Sequence, residues 1–475
     1  MAIASASHRC PLALGITLAL GAVNAGAISI SVNDGGDSAT PTGCTLRNAI
    51  TAVDTAAFAL SDPCSSTSSG SFGSSDTIVF DAALANTSIA LQHGQLDIIV
   101  PVTITGSGQS LDAHGASRIF HVSGTLNASD LTLRNGHSDV NTDGSAILIT
   151  GAGSAVTLTN STVTGGSGGP SISALGNNLS APALGLVNST VTANTSNRHA
   201  AGLSIEYGAA TLTNSTVSGN SVTCTSNLCA GGLYAVISTV QMSGSTVSGN
   251  TASGSTFEYV AGGAYFWYSS VSLVNSTIAG NSASGNRFIS GALQESHPTG
   301  ASGGLTLTNV TVSANTAMVT MYSNYASPFV TGGILIGAGG AGTLTAANSI
   351  IAANRTADAD PYRADLYWRG AASFNLAYSV LGSGLNVDPF NNASKHNRFS
   401  DTPGLTSLHD NGGPTQTMAL LSGSLAVDNG SNALAVDSAS QPLQYDQTGS
   451  ARIEFGVVDI GAFELRDHIF NNGFD

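Results

Sequence analysis

Apolar residues in the middle of the chain stand at alternate positions, in runs too short to make one face of a helix. The phrase Leu158-Thr-Asn-Ser-Thr-Val-Thr-Gly-Gly166 has Leu158 and Val163 as its apolar points. It returns as Leu186-Val-Asn-Ser-Thr-Val-Thr-Ala-Asn194, Leu212-Thr-Asn-Ser-Thr-Val-Ser-Gly-Asn220 and Met242-Ser-Gly-Ser-Thr-Val-Ser-Gly-Asn250. Further copies are Leu273-Val-Asn-Ser-Thr-Ile-Ala-Gly-Asn281 and Leu307-Thr-Asn-Val-Thr-Val-Ser-Ala-Asn315, with a worn one at Asn348-Ser-Ile-Ile-Ala-Ala-Asn354. Successive copies close about 31 residues apart, a period that marks a solenoid or an array. A second phrase precedes several of them: Ala201-Gly-Leu203, Gly231-Gly-Leu233, Gly262-Gly-Ala264, Gly291-Ala-Leu293 and Gly332-Gly-Ile334.

Helical repeats are built from Glu, Lys, Gln and Arg. Between Gly144 and Asn354 the charged residues are Arg198, Glu206, Glu258, Arg287 and Glu295 alone. The unit is rich in Thr, Val, Ser, Asn and Gly, which suits short strands joined by tight bends. A propeller blade needs about 40–45 residues; about 31 fits one coil of three short strands and a variable loop. The pattern predicts an all-β, single-stranded right-handed parallel β-helix of about eight to ten coils, stacked about 4.8 Å apart. Leu158, Leu186, Leu212, Met242, Leu273 and Leu307 form one inward file, and Val163, Val191, Val217, Val247, Ile278 and Val312 a second. Each such side chain contributes about 1.5–3 kcal/mol on burial.

Asn160, Asn188, Asn214, Asn275, Asn309 and Asn348 recur where the alternation changes phase. Asn tolerates the left-handed conformation of a bend, and stacked amides can bond between coils, so these residues are read as a structural ladder. The rival reading, glycosylation of Asn-Ser-Thr, fits a fixed coil position less well.

Composition narrows the function classes. Charged residues are 9% of the 475, the formal charge is −15, and Lys395 is the one lysine. Nucleic acid and anionic lipid both select basic surfaces, so neither is expected as a partner. Residues 1–27 read as a secretory signal, with His8 and Arg9 ahead of an apolar stretch and Ala25-Gly26-Ala27 as the cleavage site. No later segment is apolar enough to span a membrane. Export leaves four cysteines, for which proximity favours Cys44–Cys64 and Cys224–Cys229.

Both ends of a β-helix need caps. A helical turn from Leu46 to Val53, fastened at Cys44, is expected to close the first coil. Cys44-Thr-Leu-Arg-Asn-Ala-Ile50 resembles the Cys-Ser-Leu-Arg-Glu-Ala (CSLREA) motif that opens many bacterial surface β-helix proteins, with Thr45 and Asn48 departing from it. Asp410-Asn-Gly-Gly-Pro-Thr415, Met418-Ala-Leu-Leu-Ser-Gly-Ser424, Asp446-Gln-Thr-Gly449 and Asp459-Ile-Gly-Ala-Phe-Glu464 are similar to the choice-of-anchor Q region of such proteins. Ile469-Phe-Asn-Asn-Gly-Phe-Asp475 resembles a short tail of some Gram-negative exported proteins. The resemblance implies the pectate-lyase-like fold and a secreted or cell-surface location, and it carries over no catalytic residue. The expected organisation is a signal at 1–27, a cap and first coils at 28–125, repeats at 126–385, an anchor-like region at 386–465 and a tail at 466–475.

Candidate chemistry is sparse. Hydrolysis of a glycan needs two converging carboxylates, whereas alignment of the glycine pairs sets Glu206 and Glu295 one position apart, off a common face. Asn33-Asp-Gly-Gly-Asp37 has part of a calcium loop's spacing, the one hint of a cofactor. Arg355, Asp358, Asp360, Arg363, Asp365 and Arg369, with Tyr362, Tyr367 and Trp368, read as a solvated loop. Tyr234 and Tyr265 are expected to point outward on adjacent coils beside Trp267, with Tyr207, Tyr259 and Tyr268 close in sequence, as a flat row that stacks on sugar rings or on a partner protein. The leading expectation is a non-enzymatic binding protein, adhesin-like, for a polysaccharide or a cell-surface protein. The alternative is an extracellular polysaccharide lyase or glycoside hydrolase.

Overall fold

The computed structural model describes residues 26–38, 40–139, 143–225, 227–254, 259–300, 303–320, 328–338, 340–357, 364–382 and 395–466. The expected signal, all but its last two residues, and all but the first residue of the tail lie outside these. The described chain winds as a right-handed parallel β-helix of about nine turns with very little helix. Three long sheets of thirteen, twelve and ten strands run its length. One coil shows the path: Ala209–Thr213 in the first sheet, Thr216–Ser218 in the second, Leu233–Val236 in the third.

Register follows the repeat. Leu186 pairs with Leu212, Leu212 with Met242 and Met242 with Leu273. Val191 pairs with Val217, Val217 with Val247 and Val247 with Ile278. All of these are buried in one continuous core.

Between the second and third sheets the central coils swell into a lobe that the period did not reveal. It consists of Ser221–Thr223, Thr251–Ser253, Ser282–Gly285 and Thr316–Val319 on one side and Leu228–Ala230, Tyr259–Ala261, Phe288–Ser290 and Phe329–Thr331 on the other. The lobe has a core of its own, including Val222, Val260, Ile289 and Val330. The Cys224–Cys229 disulfide closes its first tip. The glycine pairs mark the return from the lobe to the third sheet: a Cβ on Gly262 would lie 2.4 Å from the Gly291 carbonyl oxygen. At Gly262 the coils approach too closely for a side chain.

Leu46–Thr55 forms an α-helix that buries Leu46, Ala49, Ile50 and Val53 against the first coils. Thr45 caps it, its Oγ1 accepting from the Asn48 N–H at 3.2 Å and donating to the Asn48 side chain at 3.1 Å. This is the N-cap half of a capping box; the Asn48 side chain meets the Thr45 hydroxyl, not its backbone N–H. Cys44–Cys64 ties the cap to the following turn.

Residues 403–466 fold back along the outside of the second sheet as a strap. Thr246 Oγ1 donates to the Gln416 carbonyl (2.7 Å), Thr277 Oγ1 to Gln447 Oε1 (2.6 Å), and Thr311 Oγ1 accepts from the Ala462 N–H (3.1 Å). Those threonines are buried, whereas Thr162, Thr190 and Thr216 at the same coil position upstream are half-buried. Fully buried Arg452 pins the strap, its guanidinium 2.6 Å from Glu464. Among the described residues no helix is long and apolar enough to cross a membrane.

Candidate functional site

Two asparagine columns run along the helix. Asn160, Asn188, Asn214, Asn275, Asn309 and Asn348 all sit at positive φ, between 45° and 52°, at the bend after the first sheet. Their amides link only in part: Asn188 Nδ2 donates to Asn160 Oδ1 at 3.3 Å and Asn348 Nδ2 to Asn309 Oδ1 at 3.4 Å. Asn275 and Asn309 donate instead to the strap, at Tyr445 and Asp459. The continuous ladder is the column that closes each repeat, which the sequence reading did not single out. Asn194, Asn220, Asn250, Asn281, Asn315 and Asn354 are buried, and each Nδ2 in turn donates to the next Oδ1 at 2.9 Å until Asn354 reaches Asp365 at 2.8 Å. Asp365, read as part of a solvated loop, is therefore a buried terminus, and burial pushes its carboxyl up to about 7. Asp358, Asp360, Tyr362 and Arg363 lie outside the described residues.

The aromatic row is placed differently from expectation. Tyr234 and Tyr265 do point away from the solenoid interior, but the lobe folds over them and leaves them 5% and 0% exposed. Tyr234 stacks between His199 (5.2 Å) and Tyr265 (5.8 Å), and Tyr259, Phe288 and Phe329 stack alongside. Burial holds both tyrosine hydroxyls well above their ordinary range. A ligand cannot reach these two rings; they are a second packing layer. Trp267 remains half-buried at the layer's edge.

The accessible row lies one residue further on, at the corner where the third sheet turns into the first. Tyr207, Ile237 and Tyr268 occupy this corner in three successive coils, with φ of 52°, 50° and 51°. Glycine or asparagine takes the left-handed region cheaply, whereas a β-branched residue there is an outlier. Such strain persists only where the surroundings impose it, and it gathers at functional sites. Here the corner N–H groups donate to the next coil: Tyr207 to Val236, Ile237 to Trp267 and Tyr268 to Ser296. Ser238 braces the bend, accepting from the Gly208 N–H at 3.2 Å and donating to the Ile205 carbonyl at 3.1 Å. The three side chains border a groove of about 630 Å³ whose floor is outward-facing Thr239, Ser270, Gly304 and Thr306. None of the described residues lining it is charged. A smaller hollow of about 340 Å³ lies beside the lobe, where the Arg369 guanidinium sits 4.5 Å from the centre of the Phe329 ring.

Glu258 lies outside the described residues, and the two repeat glutamates among them do not converge. Glu206 faces outward just before Tyr207, and burial raises its carboxyl while His199, Ser204 and Arg198 oppose the shift. Glu295 stands in register with Phe266, which stands in register with Ala235, inside the solenoid. Three coils, about 14 Å, separate the two along the axis, and they lie on opposite sides of the third sheet.

Glu295 is fully buried, and its Oε2 accepts from the N–H of Thr343 on the groove floor at 3.0 Å. Burial pushes its pKa up to about 8 against that hydrogen bond. Unfolded, the group titrates near 4.5. The folded state therefore keeps a proton that the unfolded state releases, so this group's contribution to stability falls as pH rises from about 4.5 to about 8. Glu295→Gln is expected to remove that slope, roughly 1 kcal/mol per pH unit within the window. Urea unfolding of both proteins at pH 5 and pH 8 checks it.

At the other end, the side-chain oxygens of residues 33–37 are engaged by protein donors. Asn33 Oδ1 accepts from the Cys44 N–H, and Asp37 holds Arg47 at 2.7 Å. Burial alone would raise the Asp37 carboxyl, but Arg47 and the Gln92 and His93 N–H groups outweigh it and hold the carboxyl below its ordinary range.

No protein-family model matches the chain, and no curated protein matches it. Among solved structures it is similar to pectate lyase Pel9A, at 12% identity and a TM-score of 0.36, over 82% of this chain and 88% of the other. It is also similar to the PL6 family alginate lyase AlyGC, at 11% identity and a TM-score of 0.30, over 81% of this chain and 55% of the other.

Proposed function

We propose that this is an exported, cell-surface or secreted β-helix protein that binds a polysaccharide along the corner groove and does not cut its backbone. The observation that carries the reading is the row of Tyr207, Ile237 and Tyr268, held in a costly backbone conformation on three consecutive coils and turned toward an uncharged, hydroxyl-bearing floor. Apolar rings beside Ser and Thr hydroxyls suit the faces and edges of sugar rings. The repeat of the groove at the coil pitch, about 4.8 Å, suits a ligand that itself repeats. The lack of charge among the described lining residues favours a neutral stretch of glycan. Two disulfides accord with an oxidising compartment. Backbone cleavage by a carboxylate pair needs a separation of about 5–9.5 Å, which Glu206 and Glu295 do not offer.

Affinity electrophoresis against a panel of neutral and acidic polysaccharides tests this. The double variant Tyr207→Ala, Tyr268→Ala is expected to weaken binding of the retained glycan at least about 10-fold, in line with loss of two aromatic anchors. Retention of no glycan by the parent, or equal retention by the variant, rejects the groove.

A further inference from the structure

The first coils carry a second arrangement on the outer face of the third sheet, upstream of the lobe. Leu96–Ile98 pairs with Phe120–Val122, which pairs with Ile147–Thr150. Leu96, Ile98, Phe120, Val122, Ile147 and Ile149 are buried inward. Asp97 and His121, in register with each other, therefore project outward, with Thr150 at the end of the next strand. His121 Nδ1 lies 3.3 Å from Asp97 Oδ1, and His121 Nε2 lies 2.8 Å from Thr150 Oγ1. Asp97 is held in place in turn: its Oδ1 accepts from Gln95 Nε2 at 2.8 Å, and Gln95 Oε1 accepts from the Arg118 guanidinium at 2.7 Å. Arg118 is anchored on the Gly144 and Asp143 carbonyls at 2.6 and 2.8 Å.

The order of these groups determines their roles. A carboxylate at Nδ1 selects the tautomer with the proton there, which leaves the Nε2 lone pair to accept the Thr150 O–H. A nucleophile, a base and a group that orients the base, in that order, is the arrangement of an activated hydroxyl. Directly after Thr150, the turn Gly151-Ala152-Gly153 is exposed, with φ of 106° at Gly151 and 76° at Gly153. This turn follows the hydroxyl directly in the chain, and its backbone N–H groups are the candidates to donate to an oxyanion.

We propose that Thr150, His121 and Asp97 hydrolyse carboxylic esters that carry a small acyl group. Thr150 Oγ1 attacks the ester carbonyl carbon and its proton passes to His121 Nε2. The bond from that carbon to the alcohol oxygen breaks, and His121 returns the proton to the departing alcohol. Water then adds to the acyl-threonine and gives a proton to Nε2, the carboxylic acid leaves, and Thr150 recovers its proton. Thr150 stands in register with Leu175, which stands in register with Glu206, so the hydroxyl lies about 10 Å along the sheet from the corner at Tyr207. An acyl group on a sugar hydroxyl of a chain in the groove is thus within reach, although the reaction itself does not depend on the groove.

The full chain is assayed with 4-nitrophenyl acetate, which needs no glycan site, so this test is independent of the polysaccharide reading. Turnover above the protein-free rate is expected, with an acetyl adduct on the Thr150 peptide by mass spectrometry. His121→Ala and Thr150→Val should each lower kcat/KM roughly 100-fold or more, and Thr150→Ser should retain activity. Circular dichroism melting of each variant confirms that the fold persists. Absence of turnover overturns the proposal, as does a Thr150→Val variant that is as active as the parent, which would mark His121 as acting without the hydroxyl.

Discussion

Asn250→Ala is expected to destabilise the protein by about 4 kcal/mol, measured by urea unfolding. Asn250 Nδ2 donates to Asn281 Oδ1 and to the Val217 carbonyl, each at 2.9 Å, and its Oδ1 accepts from the Asn220 N–H (3.0 Å) and Asn220 Nδ2 (2.9 Å). Alanine removes four hydrogen bonds at a site with no exposure. Each contributes about 1 kcal/mol, and the partners left behind are stranded away from water, where an unmet polar group costs about 1–3 kcal/mol. Asn188→Ala is the matched control. That residue is exposed, its one amide link is 3.3 Å long, and its main service is to hold φ at 48°. Its loss should cost about 1 kcal/mol, the price of a left-handed alanine. Equal effects at the two positions would mean that the buried column is not the one that couples the coils.

The strap offers the second large effect. Arg452→Ala leaves Glu464 buried without its cation, and removal of one partner of a buried ion pair costs about 3–5 kcal/mol. Arg452 also donates to the carbonyls of Gly461 (3.1 Å) and Asp459 (3.3 Å), so the turn that holds Asp459 to Glu464 loses its centre. The coils do not depend on this residue for their own pairing. The expected outcome is local: limited proteolysis trims the chain after residue 400 in the variant, while the coil body survives and hydrogen exchange quickens at Thr246, Thr277 and Thr311. Resistance equal to that of the parent would show that the strap holds by its other contacts.

The coil architecture was legible because one constraint, apolar side chains in register, wrote itself into Leu212, Val217 and their counterparts every turn. The two cysteine pairs were legible for a simpler reason, their nearness in sequence. Burial of Tyr234 and Tyr265 was not, because strand parity reports which side of its own sheet a residue faces and says nothing of a layer folded over that side. The strands of that layer are three or four residues long and one set of them recurs with the coil itself, directly after the buried asparagines, so the period does not mark them as a separate layer. The asparagines posed a related problem. Both columns repeat equally well, and what separates Asn220 from Asn214 is the direction of the turn, a property of the backbone. Tyr207 and Tyr268 stand out in the sequence only as neighbours of the row, and Ile237 not at all, since an isoleucine gives no hint that it will occupy a glycine's conformation. The Asp97, His121 and Thr150 cluster is assembled from three coils, none of which carries a motif.

The strap grips the coils at intervals, from the Gly244 carbonyl held by Thr415 to Asn348, whose amide exchanges hydrogen bonds with Ser431. It works as a caliper whose jaws are set a fixed number of turns apart. A coil inserted between those jaws would displace every grip beyond it by one pitch, about 4.8 Å, more than any hydrogen bond tolerates. A coil inserted upstream of Gly244 would disturb none of them. Natural or engineered relatives of different length should therefore gain and lose their turns on the amino-terminal side.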